Sequence, residues 1–321
     1  MAAPGLLDQL AVVLGRAPRK TPPSPAAAAI YLAKRGRTPK KNELLAEIEH
    51  AHGNHTWRNR RWAVLLGINL LFTLSFWIDI QVLEGSLTAS RLLGFHLADV
   101  YSSLLVMLAQ RHVAVNLVIG ATTIALFWGL VGGRSFCSWV CPYHLVAEWA
   151  EMLHLRLARS GRIRDHSIHR GVRVVFWLLF AALAFATGQT LFLALNPIGI
   201  LSRLLVYGPS LALGWVLAIL IFEVLYARRA WCRYVCPIGL SYGILGAKAP
   251  VRVTFDLESC AHEGECRKVC EVSHVLDLTI KGRAEEPKLD VGPDCTRCGL
   301  CVDVCPTGAL RFELKGVKRL L

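Results

Sequence analysis

The sequence predicts an all-α four-helix transmembrane bundle followed by a small C-terminal α+β domain, on three observations. Four apolar runs, at 62–80, 113–133, 174–195 and 204–224, each approach the ~20 residues a helix needs to cross a hydrocarbon core. The chain is 54% hydrophobic and only 18% charged, with a mean hydropathy of +0.43, which argues against an all-soluble protein of 321 residues. From about Val251 the composition turns polar and β-rich, and seven of the eleven cysteines fall there.

Taken in order, residues 1–61 read as a polar cytoplasmic leader, with Pro22-Pro23-Ser24-Pro25, a short alanine run and a helix from Glu43 to His52 behind Asn42. The first residues lack a basic n-region and carry Asp8, so no cleavable signal is expected. His50, His52 and His55 have no cysteine partners nearby, which disfavours a metal there. Residues 62–249 read as the membrane domain. Its orientation follows from the basic residues: Arg91 and Arg111 alone occupy the 83–112 loop, whereas seven arginines lie from Arg134 to Arg173. Such a bias predicts a multi-pass protein of a bacterial inner membrane, with both termini and all cysteine motifs cytoplasmic. The net charge of +13 is accounted for by these blocks, and no nucleic-acid partner is expected.

Within the first outer loop, Leu92, Leu93, Phe95, Leu97, Val100, Leu104, Leu105 and Leu108 recur at near-helical spacing, which predicts an interfacial helix or a re-entrant segment. On such a helix His96 and Asp99 share one face, and proton-accepting groups beside an apolar slot are what quinol oxidation needs. The competing reading is a polar face turned to water. Glu223, near the end of the fourth run, is either a functional buried carboxylate or an ion-pair partner of Arg228 and Arg229.

The cysteine motifs carry the chemistry. Cys295, Cys298, Cys301 and Cys305-Pro306 are spaced C-x2-C-x2-C-x3-C-P, which places three thiolates on one cubane iron–sulfur cluster and the fourth on a neighbour. Zinc modules separate their cysteine pairs more widely. Upstream, Cys260, Cys266 and Cys270 keep the same register, with Glu263 in place of the second cysteine and Glu271 in place of the proline. Cross-ligation then gives one [4Fe–4S] cluster on Cys295, Cys298, Cys301 and Cys270. Cys260, Cys266 and Cys305 remain for a [3Fe–4S] cluster, or for a labile [4Fe–4S] cluster whose fourth iron takes Glu263, His262 or water; a degenerate empty site is the alternative. Residues 250–321 are thus a dicluster ferredoxin-like domain. After the second and fourth apolar runs the pattern aromatic-C-x2-V-C-P appears twice, with Cys137 and Cys141 in one copy and Cys232 and Cys236 in the other. Four ligands to a cluster or other metal, two redox-active thiol pairs, and buried structural thiols all remain open for these.

The run from Gly133 to Pro142, Asn196-Pro197, Trp231-Cys232 through Cys236-Pro237-Ile238-Gly239, His274-Val275-Leu276 and the last cysteine motif together resemble the NapH/MauN family of membrane-bound ferredoxin-type proteins. The resemblance spans Trp62 to Phe312; Glu263 and Glu271 depart from it, and the leader lies outside it. It implies the electron-transfer subunit of a quinol dehydrogenase complex, passing electrons from quinol through its clusters to a periplasmic oxidoreductase system via a partner ferredoxin. Two other classes fit the motifs: a metal-reducing or cofactor-maturation factor for a respiratory enzyme, and a membrane redox sensor. No Gly-rich dinucleotide motif is present, which disfavours hydride chemistry.

Overall fold

The structure, a computed structural model, describes residues 6–17, 21–35, 55–78, 83–86, 89–92 and 95–315. The predicted Glu43–His52 helix, with His50 and His52, lies outside the described residues. Two short helices, α1 (Leu6–Val13) and α2 (Pro25–Ala33), precede α3 (Thr56–Trp77). A three-stranded antiparallel meander of β1 (Leu83–Ser86), β2 (Ala89–Leu92) and β3 (Phe95–Ala98) then leads into α4 (Val100–Gln110) and α5 (Val115–Val131). After the short α6 (Ser135–Trp139) come α7 (Pro142–Arg159), α8 (Val172–Thr187), α9 (Leu191–Leu195), α10 (Pro197–Tyr207) and α11 (Ala212–Leu225). A π-helical turn at Trp231–Val235 joins these to α12 (Pro237–Leu245).

Each apolar run contains a helix, yet among the described residues no helix is long and apolar enough to cross a membrane. The predicted four-helix transmembrane bundle, and with it the multi-pass inner-membrane placement with cytoplasmic termini, is corrected accordingly. The physical reasons are local. In α3, 22 residues long, the opening turns carry Arg58, Arg60 and Arg61. Helix α5 stops after 17 residues at Gly132 and Gly133, whose φ values of 139° and 60° only glycine adopts readily. Gly188 (φ 68°) ends α8 after 16 residues, and Gly208-Pro209 interrupts the fourth run so that α11 keeps only 14. The basic residues used for orientation are also partly internal: Arg134 and Arg173 are buried as ion-pair partners, as are Arg61 and Arg229 outside that stretch. Outer faces of these helices do expose apolar residues, among them Leu70, Leu126, Leu178 and Leu217.

The expected helix through Leu92 to Leu108 begins only at Val100, because Asp99 caps it by accepting the Ser102 N–H at 2.9 Å. His96 lies on β3, so it and Asp99 do not share a helical face.

The C-terminal part is a second, smaller assembly. Strand β4 (Val251–Asp256) is central in an antiparallel sheet ordered β5–β4–β6, with β5 at Lys288–Asp290 and β6 at Leu310–Leu314. The short helices α13 (Glu265–Val269) and α14 (Leu300–Asp303) carry cysteine-motif residues against it. Phe255, Leu257, Leu276 and Leu310 form its core together with Cys260, Cys270 and Cys301. Residues of the N-terminal stretch join this core: Ala27 is fully buried, Trp57 packs tilted against Phe312, and Lys34 donates to the carbonyls of Leu257 and Cys260, each at 2.6 Å. Gly133 marks where the helical part meets α12, since a Cβ there would lie 2.3 Å from the Tyr242 carbonyl oxygen.

Candidate metal centres

The two C-P motifs are built alike. Cys141 is the N-cap of α7 and Cys236 the N-cap of α12, with Pro142 and Pro237 at the first helical position. Proline there has no N–H to lose and a preset φ. Neither cysteine makes a side-chain capping bond; the Cys141 carbonyl accepts the His144 N–H at 3.1 Å instead.

All four of these cysteines line one cavity, with Tyr143, Arg134, Arg229 and Trp231. The internal repeat therefore brings its two halves to a single pocket. A second cavity is lined by Cys270, Cys295, Cys298 and Cys301. Cys260, Cys266 and Cys305 form a third group, close enough that each of the first two thiols feels the charge of Cys305 and of Glu263. The seven ferredoxin-like cysteines are thus sorted four and three.

Backbone hydrogen bonds recur at these sulfurs. The N–H two residues on donates to Cys260 (from His262, 3.3 Å) and to Cys295 (from Arg297, 3.4 Å). Glu263 has a buried carboxylate oxygen without a partner, and His262 a free Nε2, its Nδ1 being tied to the Thr279 carbonyl at 2.9 Å.

Iron–sulfur clusters fit these pockets. All eleven cysteines are free thiols. Burial pushes the thiols up, Cys260 to about 11 and Cys236 to about 12, so that without a cation they hold their protons. Only a bound metal centre displaces protons from thiols so buried. Among the described residues no group of three or more His, Cys, Asp or Glu is arranged to hold one metal ion; the sulfurs instead surround a volume.

Charged side chains brace the pockets, Asp294 unremarked in the sequence and Glu271 noted there only as a departure from register. Glu271, next to Cys270, lies 3.0 Å from His144 Nε2, 3.2 Å from Arg61 and 3.5 Å from Arg229, and accepts the Thr296 hydroxyl at 2.9 Å. Burial works against its ionised form, but Arg229, His144 and Arg61 outweigh it and hold the carboxyl well below the usual range. Asp294, next to Cys295, is held in the same way: burial opposes its charge, and Arg173 at 3.0 Å with Arg134 at 2.7 Å overcomes that. The i, i+4 pair His144 and Glu148 was the one local signal for this network.

Two uncompensated acids flank the C-P pocket. Glu223 pairs with neither Arg228 nor Arg229, which bind Glu151; it accepts the Trp231 N–H at 2.9 Å and faces Tyr143, and burial raises it to about 7. Asp99 faces Tyr242 and is likewise raised by burial.

Residues 113–160 and 207–252, which carry the C-P motifs, match a family described as a 4Fe-4S binding domain, and residues 294–311 match a second family of that description. Pocket geometry and matches together define an iron–sulfur electron-transfer protein. The ferredoxin-type protein NapH of Haemophilus influenzae is 33% identical over 78% of this chain and 87% of its own length. The methylamine utilization ferredoxin-type protein MauN of Methylorubrum extorquens is 32% identical over 81% and 89%. NapH of Escherichia coli is 31% identical over 78% and 88%. The chain belongs to this NapH/MauN family of ferredoxin-type proteins. No solved structure matches it.

Proposed function

We propose that the protein takes electrons from quinol and passes them through its clusters to a partner iron–sulfur protein, which serves a periplasmic oxidoreductase. The observation that carries this reading is the C-P pocket, lined by four thiols, with two buried acids outside its lining, Glu223 acting electrostatically on Cys232 and Asp99 on Cys236. Quinol oxidation releases protons as well as electrons, and a carboxyl raised to about 7 accepts a proton near neutral pH. In this reading Cys137, Cys141, Cys232 and Cys236 hold one cluster, and Cys270, Cys295, Cys298 and Cys301 a [4Fe–4S] cluster. Cys260, Cys266 and Cys305 hold a [3Fe–4S] cluster, or a labile [4Fe–4S] cluster completed by Glu263. When bound, such clusters supply one-electron storage; the residues set where each sits and what charge surrounds it.

The test is anaerobic addition of a quinol to the cluster-loaded protein, followed by EPR. Reduced-cluster signals are expected. Clusters left oxidised by quinol, yet reducible by dithionite, would sink the quinol reading.

A further inference from the structure

The C-P pocket and the ferredoxin pocket are separated by a partition one residue thick. Val272 and Thr296 line both cavities. Cys270 faces one cavity while its neighbour Glu271 faces the other. Across this partition the motif loops are hydrogen-bonded to each other. The Ser138 hydroxyl, between Cys137 and Cys141, donates to the Thr296 carbonyl, between Cys295 and Cys298, at 2.6 Å. Beside it the Trp139 indole N–H donates to the Arg297 carbonyl at 3.0 Å. Ser138 is wholly buried, so no water competes for its hydroxyl.

We propose that the Ser138–Thr296 hydrogen bond is the electronic coupling between the two pockets, making them one conducting unit within this chain. The inference rests on the reading that both pockets hold clusters. Electron tunnelling weakens exponentially with distance, and far more steeply through a gap than through bonds. From Cys137 the covalent chain runs to Ser138, crosses one hydrogen bond to Thr296 and continues to Cys295, with no through-space jump. Trp139 to Arg297 gives a parallel route that ends at Cys298. The transfer removes one electron from one pocket and adds it to the other; no bond forms or breaks and no proton moves. Ser138 is a positioning residue here, since it binds neither cluster.

The test uses the full-length chain, loaded anaerobically and assayed for iron and sulfide, in wild-type, Ser138→Ala and Ser138→Thr forms. At full reduction the wild-type EPR signals of the two pockets should be broadened by mutual spin interaction. After flash photoreduction the electron should equilibrate between them several-fold more slowly in Ser138→Ala at unchanged iron content. Ser138→Thr, which keeps the hydroxyl, should restore the rate. Non-interacting signals in the doubly loaded wild type, or an unchanged rate in Ser138→Ala, overturn the inference. Should Ser138→Ala lose iron, Ser138→Gly, which also removes the hydroxyl, takes its place, with slowed equilibration again expected and an unchanged rate overturning the inference. Wild-type protein that takes up iron in the ferredoxin pocket alone refutes the two-pocket reading itself, and the coupling with it.

Discussion

Replacing Arg61 by methionine should destabilise the protein far more than an arginine near the start of a helix would suggest. Its side chain is 0% exposed and forks onto Glu148 at 2.8 and 2.7 Å, with Glu271 at 3.2 Å. Methionine fills similar space but leaves both carboxylates short of a cation, and breaking a buried pair from one side costs about 3–5 kcal/mol. The lower end applies, because Glu271 keeps Arg229 and the Thr296 hydroxyl, and Glu148 keeps the Trp62 indole N–H at 3.1 Å. Roughly 3 kcal/mol corresponds to a fall of roughly 6–12 °C in the unfolding midpoint. The assay is thermal unfolding of the loaded chain followed by visible and near-UV circular dichroism. Adding Glu148→Gln to Arg61→Met should recover at least half of the loss, since the stranded charge is gone. A single-variant effect under about 1 kcal/mol, as for an exposed ion pair, would refute the buried network as described.

Other consequences follow from the cysteine pockets and their flanking acids. Cys270→Ser and Cys298→Ser should each abolish the same spectral component, and Cys266→Ser a different one; pairing of the Cys270 and Cys266 effects would reverse the sorting. Glu263→Cys should convert any [3Fe–4S] EPR signal to a [4Fe–4S] one, and no change would mean that Glu263 does not face the open iron. Glu223→Gln should stabilise the protein with a definite pH dependence. Burial raises the Glu223 carboxyl from 4.5 to about 7. Below pH 4.5 it is neutral folded or unfolded, so Gln gains nothing; between 4.5 and about 7 only the unfolded chain ionises, and above that the penalty is constant. The gain of Glu223→Gln should therefore grow across that window to roughly 3 kcal/mol, and a gain independent of pH in denaturant titrations would contradict it.

Much of the cysteine arrangement was legible because it is local. C-x2-C and C-x3-C-P spacings put sulfurs on one turn, and the repeated C-P motif marked an internal repeat while leaving open whether its two thiol pairs share a site. Glu263 and Glu271 were visible as departures from register, yet their fates differ: Glu263 keeps a free buried oxygen beside Cys260 and Cys266, whereas Glu271 is consumed by Arg61, Arg229 and His144. That distinction depends on residues 42 to 210 positions away in sequence, which no spacing rule reaches. The spanning helices were misjudged because hydropathy sums ignore where backbone geometry breaks a run, as at Gly132-Gly133, Gly188 and Gly208. Arg134 and Arg173, counted as charges facing a membrane surface, were in fact internal partners of Asp294.

The central claim, that eleven cysteines make three separate cluster pockets, is tested most directly by native mass spectrometry of the anaerobically loaded full chain. Wild type should saturate with three cluster increments, and a Cys137→Ser, Cys232→Ser double variant should lose one of them and keep the other two. Saturation of the wild type at two increments, or three increments surviving in the double variant, would contradict the account.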